Sequence, residues 1–128
     1  MPFKNKKILV IDDTASIRTF LRISLQTDGA DYYESETADQ GVKICHSIHP
    51  DLVILDLGLP GRNGLEIIAE LKQHANLPFA PIVIILSVNK EQHIKDKAYQ
   101  LGADAYVTKP FLMENLLKLI KSVLKVTD

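Results

Sequence analysis

Five side chains able to do chemistry stand at or just past the ends of short apolar runs. Asp12 and Asp13 follow Lys7-Ile8-Leu9-Val10-Ile11, and Asp56 follows Leu52-Val53-Ile54-Leu55. Ser87 follows Ile82-Val83-Ile84-Ile85-Leu86, and Lys109 comes just after Ala105-Tyr106-Val107. Unbroken β-branched runs of this length are strands buried on both faces, as in a parallel sheet. In open α/β sheets, ligands collect outside the carboxyl ends of the strands. Neighbouring strands lie about 4.8 Å apart, so these groups come within reach of one another. Three carboxylates together repel, and each raises its neighbours' pKa unless something positive is present. Lys109 leaves a formal sum of −2 (three acids, one cation), which a divalent ion would cancel. Oxygen-only ligands open to solvent suit Mg²⁺. An Asp carboxylate beside that ion, with a lysine and a hydroxyl opposite, is equipped to attack a phosphoryl group and form an acyl phosphate. Such transfer asks mainly for charge neutralisation and alignment. Alone, Asp56 would be read as a turn former; the joint pattern carries the chemistry.

The elements that must position these groups are legible as an alternation. Thr14 or Ser16 can cap a helix whose inward stripe is Ile17, Phe20, Leu21 and Leu25, closed by Gly29. Asp31 to Thr37 reads as a more polar edge strand, and a second helix runs from about Ala38 to Ile48 until Pro50 stops it. Gly58 and Pro60 end the central strand, and helical spacing resumes over Leu65 to Leu71. Pro78 and Pro81 bracket a loop. The helix over Lys90 to Leu101 has few apolar anchors, Ile94, Ala98 and Leu101, and is expected to be the least firmly packed. Gly102 ends it, and a strongly amphipathic helix runs from about Leu112 to Lys125. Five strands alternating with five helices call for a doubly wound parallel sheet covered on both faces.

The 128 residues make one domain with a single well-filled core. A net charge of −1 and the lack of a long basic tract argue against nucleic acid as a partner. No apolar run approaches membrane-spanning length and no secretory segment follows Met1, so the chain is expected to be cytoplasmic. Lys4, Lys6 and Lys7 read as a solubilising start. Cys45, the single cysteine, lies on an apolar stripe with Val42 and Ile48 and is expected to be a packing residue. His46 and His49 are three apart but lack acidic or thiol partners, and His74 and His93 are isolated, so no histidine chemistry is assigned.

The chain resembles the receiver domain of a two-component response regulator, in a stand-alone form like the chemotaxis regulators. The resemblance rests on Asp12-Asp13 with Arg18 beyond, on Asp56-Leu57-Gly58-Leu59-Pro60 leading to Gly64, and on Ser87. The most specific segment is Gly102-Ala103-Asp104-Ala105-Tyr106-Val107-Thr108-Lys109-Pro110-Phe111. It implies a flavodoxin-like sheet of order 2-1-3-4-5, a single receiver domain over 1–128, and a cis Lys109–Pro110 bond. It also implies that Asp56 is the phosphoacceptor, charged by a sensor histidine kinase or a histidine phosphotransfer protein. Mg²⁺ would be held by Asp13, Asp56 and the Gly58 backbone carbonyl, with Asp12 acting through water. Lys109 would pair with Asp56 at rest and with a phosphoryl oxygen afterwards. Ser87 would swing towards the phosphate and Tyr106 would fill the space it leaves. Phosphorylation turns a charge of −1 into nearly −2 with three acceptor oxygens, giving Ser87 a bond available only in that state. The output is then altered binding of a protein on the face of residues 90–126.

Some residues depart from the family's usual pattern. Val88 stands where receivers usually place Ala or Gly, and its bulk is expected to slow phosphoryl exchange; Asn89 is expected to tune the lifetime. Leu59 replaces a more usual Met and should be silent. Leu112, Leu119 and Val126 flank the main stripe of the last helix, either as the edge of a broad buried face or as a patch for a partner. Two alternatives remain for the chain as a whole. It could be a receiver cut from a larger transcription factor or hybrid kinase. It could instead be a phosphatase with an aspartyl-phosphate intermediate, but such enzymes need an acid two residues beyond the nucleophile, and that position is Gly58. The chain is therefore expected not to be a turnover enzyme but a phosphoacceptor that assists its own phosphorylation and dephosphorylation.

Overall fold

The structure, a computed structural model, describes residues 1–73 and 80–127. Pro78 and His74 fall outside the described residues. The elements are β1 (Lys7–Ile11), α1 (Ala15–Thr27), β2 (Asp31–Ser35), α2 (Ala38–Ile48), β3 (Leu52–Asp56), α3 (Gly64–Gln73), β4 (Ile82–Ser87), α4 (Gln92–Gln100), β5 (Ala105–Thr108) and α5 (Met113–Leu124). The strands form one parallel sheet in the order β2-β1-β3-β4-β5. Polar β2 is an edge, and β1, β3 and β4, apolar except for Lys7, Asp56 and Ser87 at their ends, fill the middle.

Alternate residues of those central strands point to opposite faces, so both faces need cover. Leu9, Ile11, Val53, Leu55, Val83 and Ile85 pack with Cys45 of α2, Ile67, Ile68 and Leu71 of α3, and Ala98 of α4. Ile8, Val10, Leu52, Ile54, Ile84 and Leu86 pack with Leu21 and Leu25 of α1 and with Leu116 and Ile120 of α5. Cys45 is a buried packing residue, as its stripe predicts.

Three details correct the sequence reading. Phe3, lodged among lysines, is fully buried in the α1/α5 layer and is not part of a merely solubilising start. Phe20 is 48% exposed; the inward stripe of α1 is Ile17, Leu21 and Leu25, one phase away. Neither Thr14 nor Ser16 caps α1 with its side chain: Thr14 is the N-cap without a side-chain bond, and Asp12 Oδ1 instead accepts the Thr14 N–H at 2.9 Å. Gly29 does close α1, at φ +94°, and Gly102 follows α4 at φ +114°, both left-handed positions that glycine takes without strain.

Helix α4 buries Ala98 alone among its residues, while Ile94 is half-buried and Leu101 is exposed. It is the helix with the least anchored face, as its sparse apolar residues predict. Leu119 of α5 and Val126, two residues past its end, pack onto the core, which favours the broad buried face; Leu112, just before the helix, is 69% exposed.

Candidate functional site

Sheet register places the candidate residues. Ile11 pairs with Leu55, so Asp12, next in β1's path, comes level with Asp56. Leu86 pairs with Asp56, setting Ser87 one step beyond, and Thr108 pairs with Ser87, setting Lys109 one step beyond that. The chain from Lys109 to Pro110 is cis, and the Lys109 N–H donates to Ser87 O at 2.8 Å.

The three acids converge. One carboxylate oxygen from each of Asp12, Asp13 and Asp56 lies within 4.8 Å of the others. Asp12 is 1% and Asp56 7% exposed, whereas Asp13 is open to solvent. Lys109 Nζ lies 3.0 Å from Asp12 Oδ2 and 3.5 Å from Asp56 Oδ2. The lysine therefore shares itself, with its hydrogen bond going to Asp12 rather than to Asp56. Asp56 Oδ1 accepts the Gly58 N–H at 2.9 Å. Burial pushes the Asp56 carboxyl above its ordinary pKa and Asp12 adds to the rise, while the Gly58 N–H and Lys109 oppose it.

These residues fit a hard divalent cation. The donors are all oxygen, they carry three negative charges against one ammonium, and one of them faces solvent, where an ion would keep its waters. Both oxygens of Asp12 are already engaged, Oδ1 by Thr14 and Oδ2 by Lys109.

The other candidates flank this cluster. Ser87, buried, accepts the Asn89 N–H on its Oγ at 3.0 Å. Tyr106 packs half-buried against the α2/α3 layer and donates its hydroxyl to Asn89 O at 2.7 Å. Lys95 of α4 sits over its ring, 5.7 Å from the centroid. Tyr106 is thus already tied to the β4–α4 connection and to α4. Val88, 73% exposed, lines a hollow of about 270 Å³ with Leu57, Gly58, Ser87, Asn89 and Ile94. Gly64 lets the β3–α3 connection close over this hollow, because a Cβ there would lie 2.6 Å from the Leu57 backbone.

Two residues beside the site have partners that no motif announces. Arg62, in the β3–α3 connection, reaches Asp39 of α2 at 2.8 Å and also pairs with Glu70 of α3. Arg18 of α1 donates from Nη1 to the Asp12 carbonyl at 2.8 Å and from Nε to Glu34 of β2 at 2.9 Å. The sequence offers Arg18 only as a part of the resemblance; its partner Glu34 lies 16 residues away, and no local signal links them.

Fold and site together are those of a phosphoryl-accepting signalling domain. The model of the response regulator receiver domain family matches residues 8–121, and the chain belongs to that family. It is similar to the KDP operon transcriptional regulatory protein KdpE of Escherichia coli (strain K12), at 42% identity over 104 residues. That match covers 81% of this chain and 44% of KdpE, so it spans less than half the length of that relative. Among solved structures it is similar to a CheY-like response regulator receiver domain protein from Methanospirillum hungatei JF-1, at 26% identity, TM-score 0.85, and 94% of both chains. It is also similar to a LuxR-family DNA-binding response regulator from Staphylococcus aureus, at 26% identity, TM-score 0.82, covering 93% of this chain and 98% of that one. Receiver domains are phosphoryl-accepting switches of two-component systems and bind Mg²⁺ at an acidic site. Response regulators work with histidine kinases and output domains. Among the described residues, no helix is long and apolar enough to cross a membrane.

Proposed function

We propose that Asp56 is the phosphoacceptor of this receiver and that residues 1–128 act as one domain switched by its modification. The observation that carries this is the position of Asp56: buried, within 4.8 Å of Asp12 and Asp13, and 3.5 Å from Lys109. In the step, an Asp56 carboxylate oxygen forms the new bond to phosphorus. The bond from phosphorus to the donor, an imidazole nitrogen or an acyl oxygen, breaks, and the donor leaves with its electron pair. Asp13, Asp56 and the Gly58 carbonyl would hold Mg²⁺, and Asp12 would act through water, a role supported by the occupation of both its oxygens. Bound there, the ion supplies charge neutralisation and orientation of the phosphoryl oxygens.

Lys109 supplies the second positive charge and can leave Asp12 or Asp56 for a phosphoryl oxygen. Ser87, whose Oγ accepts the Asn89 N–H, can turn to donate its O–H in a charge-assisted bond to the same group, and that turn releases the connection that also holds the Tyr106 hydroxyl. Weakly anchored α4 is the element that this exchange moves, and the output protein binds the face of residues 90–126. The phosphoryl group comes from a sensor histidine kinase or a histidine phosphotransfer protein in the cytoplasm, and neither nucleic acid nor membrane is a partner of this domain. The chain assists its own phosphorylation and dephosphorylation without turning over a separate substrate, since Gly58 offers no acid for a leaving group.

Incubation with acetyl phosphate and Mg²⁺ followed by intact mass tests the assignment. One phosphoryl gain that disappears in Asp56→Asn supports it. Modification that persists in that variant, or many turnovers on an unrelated phosphoester, overturns it.

A further inference from the structure

Asp12 is held at every polar group. Its N–H donates to Ser35 O at 3.0 Å, its Oδ1 accepts from Thr14 at 2.9 Å, its Oδ2 from Lys109 at 3.0 Å, and its carbonyl from Arg18 at 2.8 Å. Asp13, the next residue, is different. Its carboxylate is exposed, and among the described residues none hydrogen-bonds to it. The place of Asp13 is therefore set by the peptide it hangs from, and the oxygen of that peptide is the one Arg18 grips.

The grip is itself braced. Arg18 Nε donates to Glu34 Oε2 at 2.9 Å, and Nη2 lies 3.9 Å from Glu36 Oε2. Glu34 Oε1 takes a second bond from Arg22 at 3.3 Å, and Tyr32 donates its hydroxyl to Arg18 O at 3.0 Å. The Arg18 side chain is 14% exposed, so this fork is mostly shielded from competing water. A planar guanidinium can serve an acceptor on each of two sides at once; an ammonium, with its donors on one atom, cannot span them.

We propose that Arg18, braced by Glu34 of the edge strand, is a positioning residue that fixes the Asp12–Asp13 turn for Mg²⁺. This rests on the reading of the acid cluster as the metal site, and it gives polar β2 a task in the chemistry. Removing the fork leaves the carbonyl unpaired and frees the turn to swing Asp13 away from Asp12 and Asp56. Groups that orient a metal's own ligands typically change its affinity by about tenfold or more when lost.

The test is titration of the metal-free full chain with Mg²⁺ by calorimetry, at a temperature where circular dichroism shows each variant folded. Arg18→Ala, Arg18→Lys and Glu34→Ala are each expected to weaken Mg²⁺ by about tenfold. The double variant Arg18→Ala/Glu34→Ala is expected to be no weaker than Arg18→Ala alone, because the two residues act as a unit. Labelling by acetyl phosphate should need correspondingly more Mg²⁺, yet return to the wild-type rate at saturation, a split that simple loss of stability would not produce. Should Arg18→Ala fail to fold, Arg18→Lys and Glu34→Ala carry the test. Mg²⁺ affinities within about twofold of wild type overturn the proposal, as does full rescue by Arg18→Lys, which would make charge and not the fork decisive. In those cases a wild-type chain that still binds Mg²⁺ and gains one phosphoryl leaves the reading of Asp56 standing. A wild type that does neither removes both.

Discussion

Lys109→Met should cost the metal-free protein much of its stability, and the cost should be repaid by acid or by Mg²⁺. The ammonium lies 3.0 Å from one carboxylate and 3.5 Å from another, with all three side chains at most 15% exposed. At an effective dielectric of about 20, each distance corresponds to about 5 kcal/mol of gross attraction. Desolvating the lysine offsets much of that, so the measured quantity is the cost of stripping a buried group of its partner, about 3–5 kcal/mol. For a domain of this size, about 3 kcal/mol lowers the melting temperature by about 10 °C. Burial first, and then Asp12, already hold the Asp56 carboxyl above its ordinary pKa, and Lys109 is one of the groups opposing the rise. The variant therefore pushes Asp56 higher still. A carboxyl raised on folding contributes stability that is full below its unfolded pKa and lost as pH rises through its folded one. The gap between variant and wild type should thus narrow as pH falls from 7 towards 5. Mg²⁺ should narrow it too, and should bind the variant more tightly because no ammonium repels it. Thermal melts in chelator and in Mg²⁺, at both pH values, read all of this. Equal melting at pH 7 without metal, or a gap that widens on acidification, would refute the electrostatic account of the site.

Three further outcomes follow from the geometry around the site and the core. Gly64→Ala sets a Cβ against the Leu57 backbone, so it should cost about 1–3 kcal/mol and weaken Mg²⁺ by displacing the Gly58 carbonyl; denaturant melts and calorimetry check both. Val88→Ala should speed both acetyl-phosphate labelling and dephosphorylation, since it uncovers the hollow beside Ser87; unchanged rates would clear Val88 of any part in exchange, and substitution of Asn89 should then be tried as the tuner of lifetime. Cys45, whose thiol burial pushes up to about 11, should resist alkylation at pH 8 until the chain unfolds. Because the folded thiol titrates higher than the free one, its contribution to stability should hold up to about pH 9 and fade between there and pH 11.

Most of the fold was legible because both faces of the central strands are covered. Runs such as Ile82 to Leu86 admit no polar residue, and that alone marks them as interior and parallel. The acids and Ser87 were legible for a related reason: each closes such a run, so its place in space is tied to its place in sequence, and Lys109 stands just past the short edge strand β5. Residues outside that logic were missed. Phe3 is a single apolar side chain among lysines, with no period to announce its burial. Phe20 and Leu21 are adjacent, and which one faces inward depends on a phase that the caps alone do not set. The role of Asp12 as partner of the Thr14 N–H was hidden by its more conspicuous charge.

The Arg18 fork shows why long-range polar positioning is harder to read than the site it serves. A metal ligand must be an acid at a strand end, so its identity narrows its role. An arginine on a half-exposed helix face satisfies many roles equally, and only the folded neighbours Glu34 and Asp12 choose between them. The same holds for Arg62, which ties the connection after Asp56 to α2 and α3. The acids are thus fixed by short-range covalent logic, while the freedom of the loops that carry them is limited by nearby arginines whose acidic partners are recruited from elsewhere. A receiver must tolerate a doubly charged group arriving on Asp56 without the turn beside it collapsing. Braces anchored away from the cluster, on β2, α2 and α3, can do that without adding side chains to the cavity where the phosphoryl group must fit.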